Sequence, residues 1–388
     1  MRTHTADDVV RTAFVRRFER APAHVARAPG RLELLGNHTD YNEGLVLAAA
    51  IDRELAIATA PRADRLVRIA SLALNEEVTL DPRGASPAAV PLWARYVVGV
   101  LVQLLARGIP VPGFDALVTS DLPPGAGLSS SAALEVATAL SVRALAPFRL
   151  SPGDVADLDD AERWALARFC REAEREFVGV PCGLLDQVAV LFGRCDTALL
   201  LDCRAPSVEV LPLPDTALVV CDSGERHELA DSGYAEIARA CRTAATTLEV
   251  TSLRDADRER LATAKRRLTA RERNCARHVV DEIARVATAA TALRQGDLRT
   301  LGRCMTESHA SSRRLLRNST PVLDELVRLA TDSGCLGSRL TGGGFGGSTV
   351  SLVAADEAPG FLLALAERTR AAGLQIAPRR FLPAAGAG

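Results

Sequence analysis

Lysine is almost missing from this chain: Lys265 is the only one, and arginine supplies the rest of the 47 basic side chains. Chemistry built on a phosphate-gripping lysine therefore has one candidate, and it sits in the polar run TAKRRLTARER with no glycine loop beside it. That context excludes a P-loop or protein-kinase arrangement. Charge excess is missing too. With 48 acidic residues against 47 basic ones the net charge is -1, so nothing draws the chain electrostatically to nucleic acid or to an anionic membrane. No apolar run approaches the ~20 residues of a membrane span. The opening stretch, MRTHTADDVVRTAFVRRFER, mixes charge with apolar positions at helical spacing and lacks the apolar core of an export signal. The nine cysteines, scattered from Cys170 to Cys335, include no C-x-x-C pair and no neighbouring histidine cluster. This argues against structural zinc and a disulfide framework, and for reduced thiols in the cytoplasm.

What is present is ordinary globular material, 48% hydrophobic and 24% charged over 388 residues, a length that fits two domains or one elaborate one. An N-terminal helix is followed by short extended pieces across HVARAPGRLELLGNHTDYNEGLVLAAAIDRELAIATAPR, broken by Gly, Asn, Asp and Pro. Helical periodicity over 91–107, a strand at FDALVTS, a helix over SSAALEVATALSVRAL and another through 158–177 come next. Strands at TALLLDCR and VEVLPLPDTALVVCDSG lead into helices from Tyr234 to Leu329, and the end returns to β structure around TGGGFGG and STVSLVAAD. Without a regular βαβ period, the order predicts an α+β chain with two lobes, 1–205 and 206–388, divided at the proline-punctuated stretch near residue 205.

Three strings carry chemistry. In the first, Pro123-Pro124-Gly125-Ala126-Gly127-Leu128-Ser129-Ser130-Ser131-Ala132, a glycine turn runs directly into a helix. Glycine backbone N–H groups can close on phosphate oxygens, and the helix N-terminus adds about half a positive charge. The serines could equally act as plain N-caps. In the second, Gly30-Arg31-Leu32-Glu33-Leu34-Leu35-Gly36-Asn37-His38-Thr39-Asp40-Tyr41-Asn42-Glu43-Gly44, hydrogen-bonding groups suited to a polyhydroxyl ligand crowd between apolar strands. The same residues could instead satisfy a surface turn. The third is Glu174 with Gly179-Val180-Pro181-Cys182-Gly183-Leu184-Leu185-Asp186-Gln187, whose Asp186 could be a mere helix cap. Gly342-Gly343-Gly344-Phe345-Gly346-Gly347 also satisfies G-x-G-x-x-G, but a strand follows where a dinucleotide site needs a helix.

Together these strings resemble the signatures of the GHMP kinases, and most closely those of the galactokinases. The first is similar to P-x-x-x-G-L-S-S-S-A, the second to G-R-x-N-L-I-G-E-H-T-D-Y-N-x-G, the third to G-M-P-C-G-I-M-D-Q. Ser338-Arg339-Leu340-Thr341-Gly342-Gly343-Gly344 resembles the family's C-terminal signature. The resemblance runs from Arg27 to about Val353. It implies a two-lobed GHMP kinase fold, with an N-terminal ribosomal-protein-S5-domain-2-like lobe, a C-terminal ferredoxin-like lobe and the active site in the cleft between them. It implies transfer of the γ-phosphoryl of ATP, with Mg2+, to a sugar hydroxyl such as the C1 hydroxyl of galactose.

By that resemblance Arg31 and Asp186 form the catalytic pair. Asn37, His38, Asp40, Gly183 and Tyr234 face the sugar. Trp93, Pro124, Gly125, Ala126, Gly127, Leu128, Ser129, Ser130 and Ser131 hold the nucleotide, and Ser131 with Glu174 holds magnesium. Whether Asp186 works as a full base or orients the hydroxyl is open, because phosphoryl transfer is loose and positioning supplies much of the rate.

The chain departs from the pattern at Asn37, where galactokinases carry Glu, a change that suggests tolerance of another, even anionic, sugar. Ser311-Ser312-Arg313-Arg314 replaces acidic residues and points the same way, or forms a solvated helix face. A galactokinase-like sensor without activity is a third reading, opposed by the intact Arg31, Asp186 and serine loop. A cytoplasmic monomer and a cytoplasmic homodimer both fit.

Overall fold

The computed structural model describes residues 6–123, 127–180, 182–226 and 230–388. Helix α1 (Ala6–Phe18) places Val10, Phe14 and Phe18 on one stripe, four residues apart, and buries them against the outer face of a sheet beside Ala56, Ala58 and Leu117. Strands β1 (His24–Leu35) and β2 (Leu45–Pro61) pair antiparallel along nearly their whole length. Short pieces were expected here, because proline and glycine punctuate the stretch. Register shifts between Pro29 and Arg31 and between Glu33 and Leu35 absorb those residues without ending the strand. Gly30 fits one of them: a Cβ there would lie 2.4 Å from Leu122 and 2.8 Å from the Leu128 carbonyl.

Strands β3 (Val67–Ser71) and β4 (Glu76–Leu80), helix α2 (Leu92–Ala106), strand β5 (Phe114–Ser120), helices α3 (Ser130–Leu145), α4 (Asp160–Ala173) and α5 (Leu185–Phe192), and strands β6 (Thr197–Asp202) and β7 (Ser207–Pro212) complete the first lobe. Its sheet runs β4-β3-β5-β2-β6-β7, with β1 added on β2. The alanine-rich α3 is buried from Ala132 to Arg143, packed on β1 and β2 with α2, α4 and α5 around it. Small side chains let its N-terminus approach β1 closely. After α4 the helix widens into one π turn, Glu174–Val178, where a single continuous helix was expected.

The change of sheet expected near residue 205 falls later, because residues 207–212 form β7, the hairpin partner of β6. The second lobe begins at β8 (Thr216–Arg226) and continues through α6 (Ala230–Thr247), α7 (Arg258–Thr263), α8 (Ala270–Arg294), α9 (Leu298–Ser311), α10 (Pro321–Asp332), β9 (Gly337–Thr341), β10 (Gly346–Ala354), α11 (Ala358–Ala371) and β11 (Arg379–Phe381). Its antiparallel sheet has the order β11-β8-β10-β9, and α10 and α11 cover one face through Leu326, Leu329, Phe361 and Leu365. Helix α8 starts with a complete capping box between Thr269 and Glu272.

The lobes meet where β9 touches β1. The Glu33 N–H donates to Thr341 Oγ1 at 3.1 Å, and that hydroxyl donates to the Glu33 carbonyl at 3.1 Å.

Candidate active site

At this junction Arg31, on β1, reaches across to Asp186 in the first turn of α5. Its Nε and Nη2 lie 2.8 and 2.7 Å from Oδ1, while Ser129 Oγ donates to Oδ2 at 2.5 Å. Arg31 Nη1 also donates to the Gly127 carbonyl at 2.6 Å, and its backbone N–H to Leu128 at 3.1 Å. One arginine thus ties the end of the glycine turn, the start of α3 and the α5 carboxylate into one cluster. Ser129 adopts a left-handed conformation (φ +60°), and its hydroxyl makes no capping bond to α3. Asp186 caps no helix either, since the residue at the N-cap of α5 is Leu184. Both side chains are free for other work, and the first N–H groups of α3 remain available to an anion.

Beside the cluster opens a cavity of about 330 Å³ lined by Arg31, Glu33, Asn37, His38, Asp40, Glu174, Cys182, Gly183, Asp186, Tyr234 and the 342–345 turn. Much of the 36–44 turn lies inside the molecule, not on its surface: Asn37, His38, Thr39 and Asn42 are all buried. Helix α8 holds the turn in place, for the buried Glu282 accepts the Gly36 N–H at 3.0 Å and His278 Nε2 meets the Asn37 carbonyl at 3.0 Å. His38 shares hydrogen-bond distance with the Tyr41 hydroxyl (2.7 Å) and the Gly343 carbonyl (3.1 Å), and its ring stacks 4.8 Å from Tyr234. Gly183 comes so close to Asp40 that a Cβ would sit 1.8 Å from Oδ2.

Burial shapes the charges. It drives the His38 imidazole down to about 3, helped by His278, so this ring is neutral at ordinary pH. It lifts the Asp40 carboxyl to about 7 against a backbone hydrogen bond from Tyr41, and it raises Glu33 despite the opposing Arg339. Glu174 is raised by burial and then by the neighbouring Asp186, Glu135 by burial and then by Glu174. Gln187 donates to both Glu174 (2.9 Å) and Glu135 (3.1 Å), and Ser131 also hydrogen-bonds Glu174. Among the described residues no group of three or more His, Cys, Asp or Glu side chains is arranged to hold a metal. A hard cation here would take few protein oxygens, such as Ser131 and Glu174, and complete its shell from phosphate and water.

The chain matches the galactokinase galactose-binding signature over residues 12–61, the N-terminal domain of GHMP kinases over 95–194 and their C-terminal domain over 289–370. It is 42% identical to the galactokinase of Chloroflexus aurantiacus over 362 residues, 92% of this chain and 90% of that one. The human galactokinase is 42% identical over 363 residues, covering 90% and 88% of the two chains. The chain belongs to the galactokinase family. Its backbone superposes on Lactococcus lactis galactokinase complexed with galactose with a TM-score of 0.87 at 28% identity, over 99% of this chain and 100% of that one. The L. major mevalonate kinase in complex with R-mevalonate shares the fold at a TM-score of 0.63 and 18% identity, over 94% of this chain and 99% of that one.

Of the residues singled out in this galactokinase-family sequence, eight line the one cavity: Arg31, Asn37, His38, Asp40, Glu174, Gly183, Asp186 and Tyr234. Gly127, Leu128 and Ser129 border it through Arg31 and Asp186, Ser130 is exposed at the start of α3, and Ser131 reaches Glu174. Pro124, Gly125 and Ala126 lie outside the described residues. Trp93 does not line the cavity; at the start of α2 its indole N–H donates to Glu76 on β4 at 2.6 Å. Arg313 pairs with Asp324 at 2.8 Å and Arg314 returns to its own helix, so that basic pair forms a solvated face. Glu33 and its buried partner Arg339 (2.9 Å) were missed. The signal was present, since the family pattern places Asn at the position of Glu33.

Proposed function

We propose that this protein transfers the γ-phosphoryl group of ATP to the C1 hydroxyl of galactose, with Mg2+, in the cytoplasm. The observation that carries the reading is the double engagement of Asp186. Held by Arg31 on one oxygen and by Ser129 on the other, it stands where the α3 N-terminus meets a cavity of monosaccharide size. A hydroxyl entering that cavity would meet a carboxylate able to take or orient its proton, and a guanidinium able to steady the charge on the transferring group. Lys265 is exposed after α7 and does not line the cavity. Phosphate charge therefore falls to Arg31, the α3 N-terminus and a magnesium ion whose protein ligands would be Ser131 and Glu174. Burial raises the carboxyls of Glu135 and Glu174, and the neighbouring Asp186 charge raises both further, a setting that favours a divalent cation.

An anionic sugar fits less well, because Glu33, Asp40, Glu174 and Asp186 all line the cavity and the one arginine among its described lining residues, Arg31, is already paired. Turnover of galactose, galacturonate and glucosamine with ATP, with the product's phosphate position assigned by NMR, tests the reading. Galactose 1-phosphate as the dominant, chelator-sensitive product is expected. Preference for galacturonate, or no ATP consumption with any sugar, would refute it.

A further inference from the structure

We infer that Glu33, and not Asn37, reads a sugar hydroxyl remote from the one that is phosphorylated, and so sets which sugars this cavity accepts; the inference rests on the sugar-kinase reading above. The two side chains lie four residues apart and both line the cavity, but their hydrogen-bonding capacity is used differently. Asn37 is 1% exposed. Its Nδ2 donates to the Gly342 carbonyl at 2.7 Å, and because a carbonyl can only accept, that contact fixes which way the amide points. The second hydrogen of Nδ2 faces Glu33 Oε1 at 3.4 Å. Oδ1 accepts from Asn318 Nδ2 at 2.9 Å and from Ser312 at 3.4 Å. Asn318 is oriented in turn by the Gly343 carbonyl at 3.0 Å. Asn37 therefore uses its amide to tie the turn after β1 to Gly342 and to Asn318.

Glu33 is different. Both hydrogen bonds that its carboxylate receives from described residues, from Arg339 at 2.9 Å and from Asn37, end on Oε1. Oε2 is left as an acceptor at the cavity wall. Arg31 and Glu33 lie two positions apart on β1 and both face the cavity, so a ligand hydroxyl presented to Asp186 has its ring within the reach of Glu33. The Arg339 guanidinium on Oε1 favours the ionised carboxylate against the burial that raises it, and a donor to a guanidinium-paired carboxylate gains more than one to a neutral amide.

The family pattern explains the pairing. Galactokinases carry Asn and Glu at these two places, in the order G-R-x-N-L-I-G-E, and this chain carries them reversed. Glu at 37 with Glu at 33 would set two carboxylates side by side, and Glu at 37 would turn an oxygen toward the Gly342 carbonyl. This chain keeps one amide and one carboxylate, at exchanged positions.

Steady-state kinetics of the full chain on galactose and its monodeoxy analogues, with ATP and Mg2+, test this. Glu33→Gln keeps the shape and an acceptor for Arg339. It should raise KM for galactose by ~10–100-fold, more than it lowers kcat, the range a hydrogen bond to a charged group supports. It should have little effect on the one analogue that lacks the hydroxyl in question. The double variant Glu33→Asn/Asn37→Glu should recover most of what Glu33→Asn alone loses. An equal loss on every analogue, an unchanged KM, or an analogue-selective loss from Asn37→Ser would overturn the assignment. If the unaltered protein turns over galactose and Glu33→Gln is unselective, this inference alone falls; if the unaltered protein phosphorylates no sugar of the series, the kinase reading falls with it.

Discussion

Arg31 grips Asp186 from one side only, with both nitrogens of its fork on Oδ1. The other oxygen is left to a serine hydroxyl on the α3 turn. Asp186→Asn keeps the shape of this contact and removes the charge, so kcat should fall ~10²–10⁴-fold, the usual worth of a positioned acid or base. Arg31→Lys loses the planar fork and should cost ~10²–10³-fold. Single-turnover rates, taken alongside unchanged far-UV circular dichroism, would show whether these losses belong to the chemical step.

Asp40 supplies a pH signature. Its carboxyl is held up at about 7 instead of the ordinary 3.8, so it becomes a charged, acceptor-only partner for sugar hydroxyls only above that point. KM for the sugar should fall as pH rises through about 7, and Asp40→Asn should flatten the profile. The stability linkage has a definite sign. The folded chain keeps this proton up to about 7 while the unfolded chain releases it near 3.8, so Asp40 lowers stability progressively as pH rises across that interval. Thermal melts should show Asp40→Asn gaining on the unaltered protein over the same window.

Gly183 tests how tightly the cavity is built. A Cβ there would stand 1.8 Å from Asp40 Oδ2, and the carboxylate would have to turn away. Gly183→Ala should raise KM for the sugar at least ~10-fold, the cost of losing one hydrogen bond to a charged group, while leaving the melting temperature nearly unchanged. A large stability loss with normal KM would contradict this.

The buried pair Glu33–Arg339 is a stability element as well. Arg339 is fully buried and its Nη1 serves both the carboxylate and the carbonyl of Glu33. Arg339→Ala strands a buried carboxylate and should cost about 3–5 kcal/mol, the usual penalty for breaking such a pair from one side. Urea unfolding would measure it, and a loss under ~1 kcal/mol, the value of an exposed pair, would contradict the burial argument.

Most of the site could be read in advance because short strings with demanding backbone needs carry it. A glycine turn ahead of a serine-led helix, and a polar turn between apolar strands, look unlike core. What could not be read was direction. Nothing in the string decides whether Ser129 caps α3 or whether Asp186 caps α5; that depends on Arg31 arriving from 155 residues away. Glu33 was overlooked because it sits inside a strand, where alternation makes a polar residue look like a solvent-facing one, and its partner Arg339 lies 306 positions along the chain. Trp93 was placed at the nucleotide by resemblance, whereas the partner it meets, Glu76, lies 17 residues back on β4, an approach that no local pattern announces. The sheet change near 205 was displaced for a related reason: Pro206 precedes β7 and Pro212 ends it, opposite Thr197, without interrupting its ladder to β6.

The bonds between Glu33 and Thr341 have a mechanical consequence. They rivet the floor of the cleft, with Arg339 as a further fastening, so the two halves of the protein cannot part there without tearing several buried contacts at once. Arg31, two positions along β1 from Glu33, therefore stands on backbone that both lobes hold.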